Sequence, residues 1–170
     1  MKTKLLLAAV LTIFISMNCS SQTSNAKMQS VFIYNFTKMI SWPEAYQSGD
    51  FVIGVVGSSP IIAELETMAA TKKAGNQTIV IQKYSSAGAV GKCHILFVPA
   101  SQMGGLSSAV SKCSGNSTLI ITEADDGIAN GAAINFVVID NKQKFELKES
   151  NATKRGLQIG SDLKNLAIIK

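Results

Sequence analysis

The chain has 170 residues, of which 46% are hydrophobic and 16% charged, with a formal net charge of +5. That length suits a single hydrophobic core, and the charge is too small and too scattered for a nucleic-acid binder: no basic cluster is denser than Lys72-Lys73 or Lys154-Arg155, and no aromatic-studded basic stripe occurs. No apolar run reaches the roughly 20 residues that a permanent membrane helix requires.

Residues 1–21 read as an export signal. Lys2 and Lys4 precede the apolar run Leu5 to Ile15, and the small residues Cys19-Ser20-Ser21 follow, with a cut expected after Ser21. Losing Lys2 and Lys4 takes the charge from +5 to +3, and residues 22–170 are expected to form one soluble domain outside the cytoplasm. The competing reading, a lipoprotein anchored at Cys19, is opposed by Ser16 and Asn18, which do not fit the leucine and small residue that should precede such a cysteine. Export leaves Cys93 and Cys113 as the mature cysteines, in a compartment where disulfides persist, and predicts that they pair. A Cys93–His94 catalytic dyad fails on geometry, because adjacent residues of a strand point to opposite faces.

The first mature element is predicted as a helix from about Asn25 to Ile40, with Met28, Phe32, Phe36 and Met39 on its inward face and Trp42-Pro43 ending it. Phe51 to Gly57 is a continuous apolar run of the kind buried on both faces of a parallel sheet. Ser59 caps a helix from Pro60 to about Lys72. Gln77 to Tyr84 and Cys93 to Ala100 follow as strands, Gly104-Gly105 opens a helix through Val110, and Thr118 to Thr122 is a fourth strand. Ala133 to Ile139 and Lys144 to Lys148 read as a hairpin around Asp140-Asn141-Lys142-Gln143, and a helix from about Asn151 brings Leu157, Leu163 and Leu166 to the core. Alternating strands and helices imply right-handed crossovers. The expected architecture is a three-layer α/β/α sandwich with a mixed, largely parallel sheet and a C-terminal hairpin plus helix.

Side chains offer little catalytic chemistry. Gly54-Val55-Val56-Gly57-Ser58-Ser59 follows a strand and opens a helix, yet lacks both the dinucleotide GxGxxG spacing and the GK[ST] ending of a P-loop. No ligand-spaced metal cluster and no serine elbow occur, and the single histidine, His94, is read as a core residue. No cofactor is expected, and the chain is read as a non-enzyme. Ser58, Ser59, Gln102, Asp125 and Asp126 fall on loops at the carboxyl edge of the expected sheet, where α/β proteins hold ligands. They are the candidate ligand-binding residues.

Four segments in order carry a family resemblance. Phe32 to Lys38 with Trp42-Pro43, Phe51 to Gly57, Cys93 to Val98, and Ile134 to Val137 before Lys144-Phe145-Glu146, together with the terminal Gly156-Leu157-Gln158-Ile159 and Leu163, resemble the YfiR-like family of exported bacterial proteins over nearly the whole mature chain. The resemblance implies a periplasmic regulator that binds the periplasmic part of an inner-membrane diguanylate cyclase and represses it, lowering cyclic-di-GMP and biofilm formation. It also implies a homodimer and disulfides, although two mature cysteines leave no second bridge. Phe32, Tyr34, Phe36 and Trp42 are the candidate partner-binding residues, because aromatic side chains dominate interface hot spots. Phe32 and Phe36 also have a competing reading as core residues. The alternative function is a periplasmic small-molecule sensor acting on a sensor kinase or receptor.

Overall fold

The computed structural model describes residues 24–170; the expected signal over residues 1–21, with Cys19, lies outside the described residues. Helix α1 spans residues 24–39 and passes into a two-residue strand, β1 (Ile40–Ser41), before Trp42-Pro43. Its inward stripe is Ala26, Gln29, Ser30, Ile33 and Phe36, and Ile40 of β1 is buried beyond its end. This corrects the expected stripe at Met28, which is 47% exposed, whereas Phe32 and Met39 are half-buried and pack against the core. The helix carries apolar residues around most of its circumference, so periodicity alone does not fix its rotation. Contacts do: Phe36 meets Phe145 edge-on at 5.1 Å and Phe136 at 6.2 Å, which seats α1 across the C-terminal hairpin.

The strands β2 (Phe51–Val56), β3 (Lys73–Ala74), β4 (Gln77–Tyr84), β5 (Ile95–Val98), β6 (Leu119–Thr122), β7 (Ile134–Ile139), β8 (Lys142–Leu147) and β10 (Ile168–Ile169) form one sheet in the order β10-β8-β7-β6-β5-β2-β4-β3. The central pairs are parallel, from β4–β2 through β2–β5 and β5–β6 to β6–β7, and β7–β8 is antiparallel. The period-2 alternation sorts the apolar strand residues to two sides. Phe51, Ile53, Val55, Ile95, Phe97, Leu119 and Ile121 join a core with α1, α2 (Ile61–Ala69) and the C-terminal segment, whereas Val56, Leu96, Val98 and Ile120 pack with Leu106 and Ala109 of α3 (Leu106–Lys112). Helices therefore cover both faces, which makes three layers with a mixed, largely parallel sheet.

The C-terminal third departs from expectation in detail. The hairpin turn is two residues, Asp140-Asn141, at φ 51° and 58°, and Lys142 and Gln143 belong to β8, with Ile139 opposite Lys142. Positive φ at both central positions gives the turn whose twist matches paired strands. The single terminal helix is in fact two short ones, α4 (Glu149–Thr153) and α5 (Ser161–Leu166), separated by β9 (Gln158–Ile159), which pairs antiparallel with β1. Gly156 at φ 74° and the close approach of Gly160 to the Met39 carbonyl break the helical run. Beyond α5, Ile168-Ile169 forms β10 and runs parallel to Glu146-Leu147 of β8.

Candidate functional site

Two surfaces can carry recognition. The first is the outer stripe of α1, where Lys27, Met28, Val31 and Lys38 are exposed. Val31 is 48% exposed beside Met28 one turn earlier, so two aliphatic side chains face solvent on one helix side. Tyr34 is half-buried on the same helix, with Lys38 Nζ 4.2 Å from its ring centroid. Of the four aromatic candidates, Phe36 and Trp42 are buried and present almost no area to a partner. Their role is packing. Trp42 meets Phe51 edge-on at 5.0 Å and donates its indole N–H to His94 O at 3.2 Å.

His94 organises that corner of the core. Its Nδ1 accepts the Val52 N–H at 3.0 Å and its Nε2 lies 2.8 Å from Tyr46 O, so the hydrogen bonds require the neutral ring protonated on Nε2. Burial holds its pKa below the ordinary value, and nearby Lys92 pushes in the same direction. Next in sequence, Cys93 is also buried. The expected Cys93–Cys113 bridge is not formed in the structure: both are free thiols, packed in the α3-side cluster. Burial and the neighbouring Cys113 push the Cys93 thiol up to about 12, so the reduced pair is inert as a nucleophile.

The second surface is a cleft of about 750 Å³ at the carboxyl edge of the sheet. The chain leaves β2 toward β4 on one side and returns to β5 on the other, and the loops after β2 and β5 border the cleft. That is the topological switch point where α/β sheets leave a crevice. Ser58, Ser59 and Asp125 line it as the sequence suggested. Gln102 instead lays its amide against Gly57, and Asp126 is a turn residue whose carbonyl accepts from Asn130. Sequence reasoning missed Gln29, Glu123 and Gln143. Gln29 was detectable in principle as a polar residue on an inward helical stripe, whereas Gln143 was hidden by reading it as part of the turn.

The loop carrying Glu123 and Asp125 is braced from below. Asn135 Oδ1 accepts from Thr122 Oγ1 at 2.8 Å and from Ala124 N at 3.0 Å, and Asn135 Nδ2 donates to Glu146 at 3.1 Å. Gly127 passes so near Thr122 that a Cβ would overlap its hydroxyl. Glu123 is fixed at both oxygens, by Gln29 Nε2 at 3.0 Å and by Ala100 N at 3.3 Å. Among the described residues, no three His, Cys, Asp or Glu side chains converge as a metal site would require.

With the sheet, helix layers and C-terminal hairpin in place, comparison with protein families finds the YfiR/HmsC-like family matching residues 26–168. The chain belongs to that family. The match spans α1 to β10, so the resemblance read from four segments holds along the described fold. Comparison with curated proteins returns no match. At family level the protein is a periplasmic regulator in the cyclic-di-GMP pathway that works with a partner protein, and the family is regulatory and non-enzymatic. Among the described residues no helix is long and apolar enough to cross a membrane.

Proposed function

We propose that this protein binds the periplasmic part of an inner-membrane diguanylate cyclase and holds it inactive, lowering cyclic-di-GMP and biofilm formation. Family membership supplies the pathway, and the observation that supports the contact is the outer stripe of α1, with Met28 and Val31 nearly half exposed and Phe32 and Tyr34 half-buried on the same helix. Apolar side chains already held on a helix can be covered by a partner groove without the further cost of ordering the backbone. The active form is a homodimer in this reading. Affinity purification of the tagged protein with solubilised membranes tests it: a cyclase should co-purify with the wild type and be lost with Met28→Asp/Val31→Asp, while light scattering reports the dimer.

A second reading, a small-molecule sensor acting on a sensor kinase or receptor, is favoured by the cleft at the switch point, which Ser58, Ser59 and Asp125 line. The two are compatible, because Gln29 on α1 bonds Glu123 on the cleft wall.

A further inference from the structure

The lining of the cleft is unbalanced in charge and in hydrogen bonding. Its charged groups are the carboxylates of Glu123 and Asp125, and no Lys, Arg or His among the described residues lines it. Gln143 sends its amide N–H groups to Val137 O at 2.9 Å and Lys144 O at 3.0 Å, which fixes the amide; its Oε1 is buried and accepts no hydrogen bond among the described residues. Gln29 is 5% exposed and donates to Glu123. A buried acceptor left without a donor costs free energy. Phe136, Val138 and Pro60 supply an apolar wall beside these acceptors.

We propose that the cleft binds a small organic cation: an ammonium group donating to the carboxylates of Glu123 and Asp125, on a compact apolar body lying against Phe136 and Pro60. The inference rests on reading the cleft as a ligand site and is independent of which membrane protein is controlled. An anion of the same shape would meet two carboxylates and, among the described residues, no Lys, Arg or His. The N-terminus of α2 contributes only a partial positive charge, which two full negative charges outweigh. The cleft volume of about 750 Å³ suits a ligand of small-molecule size. An ammonium at Glu123 also shares that carboxylate with Gln29, so occupancy bears directly on the first turns of α1.

Three probes with one common body separate the terms: phenethylamine, phenethyl alcohol and phenylacetate, titrated calorimetrically into the purified protein at low ionic strength. The amine is expected to bind saturably, with the alcohol and the acid at least about tenfold weaker, because charge-assisted hydrogen bonds exceed neutral ones. Glu123→Gln and Asp125→Asn should each weaken the amine about fivefold or more. Asp125 is exposed at the rim, so its variant keeps the wild-type melting temperature even if Glu123→Gln does not fold. Binding of the alcohol or the acid as tight as that of the amine, or amine binding untouched by both substitutions, overturns the cation assignment while leaving a ligand site. Absence of heat together with unmoved side-chain amide resonances of Gln29 and Gln143 for all three probes overturns the site itself.

Discussion

His94 shows how one polar side chain can tie together a corner of an apolar core. It accepts from Val52 N, donates to Tyr46 O and stacks on Phe51 with centroids 4.2 Å apart, while its carbonyl takes the Trp42 indole N–H. Because its folded pKa lies below the ordinary histidine value of about 6.5, the unfolded chain binds more protons in the window between the two values, and stability rises with pH there. The contribution is complete above 6.5 and is lost as pH falls through the folded value. Urea midpoints at about pH 7.5 and about pH 5 should therefore fall for the wild type and fall less for His94→Gln. Trp42→Ala removes a buried indole and should cost roughly 3 to 5 kcal/mol, measured by urea denaturation; a normal midpoint would move Trp42 to an interface role. Cys93 and Cys113 share one buried cluster, and we expect oxidation after export to join them, closing a loop of about 20 residues for on the order of 3 kcal/mol. Peptide mapping of non-reduced periplasmic protein checks this, and two free thiols would refute it.

Among the elements, the long ones were legible and the short ones were not. Phe51–Val56 and Gln77–Tyr84 announce themselves because a strand buried on both faces, or alternating over eight residues, leaves a pattern longer than chance. The pairs β1–β9 and β8–β10 involve two residues each, too few for any period, and exist because the tertiary fold brings their backbones together. The β7–β8 turn was misjudged by two residues, since Lys142 and Gln143 are polar strand residues at a sheet end. That turn makes its own prediction. Asn141 sits at φ 58°, where a β-branched side chain is strained, so Asn141→Ile should lower stability by about 1 to 2 kcal/mol and Asn141→Gly should not. Thermal melts of the two variants distinguish this from a loss caused merely by removing the asparagine amide.

At the scale of the whole molecule, the α/β sandwich followed from strand and helix alternation, and part of the cleft lining followed with it: Ser58, Ser59 and Asp125 were placed because loops after parallel strands converge at one edge. Gln29 and Glu123 meet across 94 positions of sequence, and no local pattern reports such a contact. Likewise the rotation of α1 was not legible: Met28, expected inside, is 47% exposed, and Phe36, offered as a contact, is buried against the hairpin aromatics. The proposed contact with a partner lies on the outward stripe of α1. Its most direct test is cellular cyclic-di-GMP in a strain lacking the gene and complemented with the wild type or with Met28→Asp/Val31→Asp. Loss of the gene should raise the nucleotide, the wild type should restore it, and the folded double variant should not; an unchanged level on deletion, or full restoration by the variant, would contradict the account.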